Sequence, residues 1–130
     1  MGKAADVGTS GAAQLTVTAQ DTAIALRSGD VPVLATPRLI ALMEEATCEA
    51  LSGSLDPHLT SVGTAVEVVH RRPTPLGARV HARAQVASVE GSRIVFDVTA
   101  DHDTVAGERV ESIARGQITR VIVDRDAFGE

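Results

Sequence analysis

One stretch of this sequence carries a sustained helical period, and almost everything after it carries the period of a strand. Leu39, Leu42, Met43, Ala46 and Ala50 fall at i, i+3, i+4, i+7 and i+11, one face of an amphipathic helix. Thr36-Pro37 reads as an N-cap followed by proline at the first helical position, and Gly53 as the stop, so the helix is expected from Thr36 to about Ser52. From Gly63 onward the chain alternates. A Val-rich strand runs Gly63–His70, and a second runs Ala78–Val89 with Val80, Ala82, Ala84 and Val86 on one side. The turn Glu90-Gly91-Ser92 leads to a third strand with Ile94, Phe96, Val98 and Ala100 on one face. Asp101–Gly107 reads as the next turn and Glu108–Val123 as a long last strand, with a bulge expected at Gly116. A further strand, Gln14–Gln20, precedes the helix, and Arg27–Ala35 reads as a loop. One helix against a long antiparallel sheet, four of whose strands follow in meander, is an α+β domain.

Residues 1–13, rich in Gly, Ala and Ser, read as a loose tail, leaving 14–130 as a single domain. Composition narrows the function more than the fold. A net charge of −5 argues against binding a phosphate backbone, and two Phe with no Trp or Tyr leave no platform for stacking bases, so no nucleic-acid partner is expected. The lone Cys48 can close no internal disulfide and belongs to no zinc pattern. No apolar run is long enough to span a membrane and the first residues do not resemble a secretory signal, so a cytoplasmic protein is expected. No P-loop, dinucleotide or nucleophile-elbow motif occurs, and no cofactor is expected.

Three residues stand out. Glu44 falls at the edge of the helix's apolar arc, whereas Arg38, Glu45 and Glu49 lie on the solvent side. It is either a rim carboxylate reaching water or an acid–base group in a partly dry site. Thr36 is accounted for as an N-cap, and a substrate-positioning hydroxyl is the alternative. His70 ends the strand on the face of Val66 and Val68, either as a satisfied boundary histidine or as one facing a cleft. His58, His81 and His102 read as surface residues. Arg71, Arg72, Arg79 and Arg83 make mid-chain locally basic, either as a solvated strand face or as partners for the phosphates of a nucleotide-bearing substrate. Thr36 and Glu44 are roughly 12 Å apart along a helix, too far for direct contact.

The segments ATPRLIALMEEATCEAL and GTAVEVVHRRPTPLGARVHARAQVASVEGSRIVFDVTADHD resemble the hot-dog-fold acyl-CoA thioesterases, and most of all the fluoroacetyl-CoA thioesterase group, over Gln14 to Phe128. The most specific matches are Thr-x7-Glu on the helix and Gly-Thr-Ala-x-x-Val-x-His on the strand. On this resemblance the family's catalytic threonine, glutamate and histidine fall on Thr36, Glu44 and His70. Its glycine near the thioester falls on Gly63 and its strand arginine on Arg120, and Arg71 and Arg72 are candidate substrate-binding residues.

The resemblance further implies a sheet wrapped around the central helix and a homodimer with its sheets joined edge to edge. Acyl-CoA would enter at the subunit interface, where groups from two chains can converge. The activity implied is hydrolysis of a short or small acyl-CoA to the acid and CoA. Glu44 would act as base for water or as nucleophile, His70 as hydrogen-bond donor to the leaving thiolate or oxyanion, and Thr36 would position the carbonyl. One departure is plain: the fluoroacetate-specific enzyme has aromatic residues forming a lid before its threonine, and Ile24–Ala35 here has none. A non-catalytic acyl-CoA or small-ligand binding protein on the same fold is the alternative reading. An enoyl-CoA hydratase is a weaker one, since the helix lacks an Asp and His pair.

Overall fold

A computed structural model describes residues 5–127. Strand β1 (Ser10–Thr16) is followed by a short 3-10 turn (Ala19–Asp21) and a one-turn helix α1 (Ala23–Leu26). The long helix α2 (Thr36–Leu51) comes next, then β2 (Leu59–His70), β3 (Arg79–Glu90), β4 (Arg93–Asp103) and β5 (Arg109–Asp124). The five strands form one antiparallel sheet in the order β1-β3-β4-β5-β2. Among the described residues no helix is long and apolar enough to cross a membrane.

The α+β class is as expected, with one correction to topology. Only β3, β4 and β5 form a meander, and β2 lies at the far edge beside β5. Pro73 and Pro75 in the β2–β3 connection explain this. Proline removes a backbone donor and fixes φ, which opposes a tight hairpin and favours a crossover.

Leu39, Leu42, Met43, Ala46 and Ala50 of α2 are all buried, as their spacing requires. They meet Val80, Ala82, Ala84 and Val86 of β3 and Ile94, Phe96, Val98 and Ala100 of β4 in one core. Strand β1 begins earlier than its alternation suggested, so Ser10–Ala13 belong to the sheet rather than to a tail; residues 1–4 lie outside the described residues. Gly11 is buried, and a Cβ there would overlap the backbone of Ala46 and Ala50. The small residues that read as a loose segment are what let a strand lie directly on a helix.

Two local expectations change. The bulge in β5 lies not at Gly116 but around Ser112, which takes a left-handed φ of 55° where the register to β4 shifts between Ala100 and His102. Gly116 is in regular register, and glycine is needed there because the backbone of Glu67 and Val68 occupies the space of a Cβ. His102 is not a surface residue: it is 2% exposed, and its Nδ1 lies 2.8 Å from the hydroxyl of fully buried Thr74. It sits on the core-facing parity of β4 beyond Val98 and Ala100, because the strand runs past the expected turn to Asp103. Burial lowers its pKa, with Asp103 opposing.

Buried Asp21 ties the α2 entry together. It accepts from the Thr18 backbone N–H at 2.8 Å and from the Thr18 hydroxyl at 2.9 Å, and pairs with Arg38 Nε at 3.2 Å. Burial alone would raise its pKa, but these donors and the Arg38 charge outweigh burial and hold it below the ordinary aspartate value. A depressed carboxylate pKa contributes stability above the unfolded-state value, lost as pH falls through the folded one. Asp21→Ala is expected to cost about 2 kcal/mol at neutral pH, and less in acid, by urea denaturation at several pH values. Gly11→Ala is expected to cost about 1–3 kcal/mol in the same assay, because the added methyl meets backbone rather than a movable side chain.

Candidate functional site

Helix α2 and edge strand β2 carry the residues singled out by sequence, and the fold gathers them into two groups. At the start of α2, Ala35 is the N-cap and Thr36 the first helical residue, so Thr36 does not cap. The helix start is shifted by one because Ala35 holds the extended φ and ψ of a cap and its carbonyl already accepts from the Leu39 N–H. Freed from capping, the Thr36 hydroxyl lies 2.8 Å from Nδ1 of His70, at the end of β2.

The other ring nitrogen of His70, Nε2, is buried and has no hydrogen-bond partner among the described residues. Such an atom costs about 1–3 kcal/mol and is rare in a settled core. Burial lowers the His70 pKa, and the Arg72 backbone partly opposes this. The imidazole is therefore neutral at neutral pH. A neutral ring whose Nδ1 accepts the Thr36 hydroxyl proton carries its own proton on Nε2.

Two turns further along α2 a second group forms. Glu44 Oε2 lies 3.8 Å from Nη1 of Arg120, whose residue is only 7% exposed. Arg120 and Gly63 are paired across β5 and β2, and a Cβ at Gly63 would lie 2.6 Å from Glu44 Oε2. Glycine is thus what lets the carboxylate rest on the strand. Ser61 completes the arrangement: its hydroxyl accepts from Arg120 Nε at 2.8 Å and its carbonyl from Nη2 at 3.0 Å. These two bonds leave Nη1 facing Glu44. Sequence reasoning missed Ser61; its position two before Gly63, on the same face of the strand, was the available signal.

Glu44 is half-exposed, at the edge of the helix's buried face as its spacing indicated. Arg38, expected on the solvent side, pairs with Asp21 at 3.2 Å and Glu45 at 3.7 Å. Within one chain the two groups stay apart. Thr36 and His70 hold one end of β2, and Glu44, Gly63 and Arg120 the other, roughly 12 Å away along the helix. The strand therefore runs antiparallel to α2. Beside Thr36 and His70 opens a cleft of about 300 Å³, whose lining includes the aliphatic Ala23, Val31, Val33 and Leu34 as well as Arg71 and Arg72. Arg79 and Arg83 lie exposed on β3 and do not line it.

Comparison with known proteins agrees with this architecture. The family model described as fluoroacetyl-CoA-specific thioesterase matches residues 17–126. A fluoroacetyl-CoA thioesterase of Streptantibioticus cattleyicolor is 36% identical over 96 residues, which span 74% of this chain and 65% of that protein. The solved structure of a fluoroacetyl-CoA thioesterase superposes with a TM-score of 0.84 at 29% identity, covering 95% of this chain and 92% of the other. A hot-dog-like protein from Thermanaerovibrio acidaminovorans gives a TM-score of 0.77 at 30% identity, over 93% and 85% of the two chains. The match of the family model over most of the chain and the shared curl of an antiparallel sheet on one long helix show that the chain belongs to the fluoroacetyl-CoA-specific thioesterase family, on the hot-dog fold.

Proposed function

We propose that the protein is an acyl-CoA thioesterase that hydrolyses a short or small acyl-CoA to the acid and CoA. The observation that carries the reading is the Thr36–His70 hydrogen bond, 2.8 Å long, at the wall of a cleft lined by both aliphatic and basic residues. The aliphatic residues suit an acyl group, and Arg71 and Arg72 suit the phosphates of CoA. Thr36, held by neutral His70, would position the thioester carbonyl. His70 Nε2–H would supply a donor to the developing oxyanion or the leaving thiolate. Glu44 would act on the carbonyl carbon, as base for water or as nucleophile, with Arg120 as its counter-charge and Gly63 giving it room.

The separation of the two groups is resolved by a homodimer joined along β2. Among the described residues this strand pairs only with β5, so its other edge offers unpaired N–H and C=O groups there, and Val66 and Val69 are exposed on it. Two copies related by a two-fold axis pair such an edge antiparallel. The Gly63 end of one strand then lies against the His70 end of the other. Each site would combine Thr36 and His70 of one protomer with Glu44 of the partner subunit.

Free-thiol release from a panel of acyl-CoAs tests the activity. Glu44→Gln and His70→Ala are each expected to lose at least ~100-fold in kcat. Tight acyl-CoA binding without turnover would instead identify a non-catalytic binding protein. The composite site has its own test. Mixing Glu44→Gln chains with His70→Ala chains under subunit exchange is expected to restore up to roughly a quarter of the wild-type rate. Random pairing gives half heterodimers, each with one intact site; no recovery would assign both residues to one chain.

The pH profile follows from the lowered His70 pKa. A neutral imidazole is the working form, so activity is retained down past the ordinary histidine value of 6.5 and lost only below it. A decline beginning above that value, in kcat/KM against pH, would contradict this assignment.

A further inference from the structure

The cleft beside Thr36 carries an aliphatic wall. Apart from its histidines the chain has two aromatic rings. Phe96 is fully buried on β4, and Phe128 lies outside the described residues. Among the described residues the cleft is therefore closed by no aromatic ring, and its acyl side is aliphatic: Ala23, Val31, Val33 and Leu34. Of these, Val31 is 52% exposed, so the aliphatic wall of a cleft that holds a hydrogen-bonded Thr–His pair reaches solvent.

We infer that this site takes an aliphatic acyl chain longer than two carbons in preference to acetyl, with Ala23, Val31 and Val33 as the wall that selects it. The inference rests on the thioesterase reading and names the substrate class of that same site. Val31 is the specificity-determining position: half-exposed, on the wall, and free to change without disturbing the core. Each methylene brought from water onto this wall gains roughly 4-fold in affinity, equivalent to about 0.8 kcal/mol.

The experiment separates the acyl preference from catalysis by using thioether analogues, which cannot be hydrolysed. S-ethyl-CoA and S-hexyl-CoA are titrated into the wild-type protein by calorimetry, beside kcat/KM for acetyl-, butyryl- and hexanoyl-CoA. S-hexyl-CoA is expected to bind at least ~10-fold more tightly than S-ethyl-CoA, with kcat/KM rising in the same order. Val31→Phe, which narrows the cleft, is expected to reduce the hexyl-to-ethyl affinity ratio by ~10-fold, and a thermal melt verifies that the variant is folded. If the variant does not fold, Val31→Met replaces it, with a smaller drop in the same ratio expected. Equal affinity for the two thioethers, or a ratio unchanged by filling position 31, would overturn the inference while leaving a thioesterase intact. A clear hexyl preference without hydrolysis of any acyl-CoA would sustain the cleft assignment and overturn the enzyme.

Discussion

The close approach of α2 to the sheet is the constraint on which the other features depend. It is possible because the facing residues are small: Gly11 on β1, Ala82 and Ala84 on β3, and Ala46 and Ala50 on the helix are all buried. Interiors pack at crystal-like density, so small side chains on both sides bring the elements themselves together. A core with one phenylalanine and no larger ring is the consequence of this geometry. The helix, held so near β1 and β3, makes much less contact with β2, and leaves that strand's edge and the sites along it open.

That placement explains why the candidate site is divided. Helix and edge strand run antiparallel, so residues on α2 meet successive positions of β2 in reverse order. Thr36 meets His70, and Glu44 meets Gly63. Each contact also has its own electrostatic logic. Neutral His70 binds a hydroxyl and spares a nitrogen, while Arg120, a guanidinium buried in the sheet, is oriented by Ser61 toward the Glu44 carboxylate. A buried guanidinium needs such compensation, and a half-exposed carboxylate that supplies it remains open to solvent and to a substrate.

Much of this was legible in the sequence where the physics is local. The helical face of α2 and the alternation of β3 and β4 follow from side-chain direction, which depends only on neighbouring residues. Glu44 looked unusual for the same reason, since a carboxylate at the edge of an apolar arc is a local contradiction. Other readings failed where the deciding contact was distant. Thr36 carried a cap signal, yet its hydroxyl is taken by His70. Ser10–Ala13 looked like a tail because the partner that requires small residues there is α2. His102 looked like a turn residue because its partner Thr74 lies on another segment.

The sequence by itself determined the class of fold, one helix on an antiparallel sheet, and through its motifs the family, and it singled out Thr36, Glu44 and His70 as candidate site residues. Period and residue type are properties of the chain, so they survive without coordinates. Only the tertiary structure decided the strand order, the Thr36–His70 and Glu44–Arg120 pairings, the role of Ser61, and the aliphatic wall of the cleft. Those depend on which distant segments the packing brings within a few ångströms, and no local pattern encodes that distance.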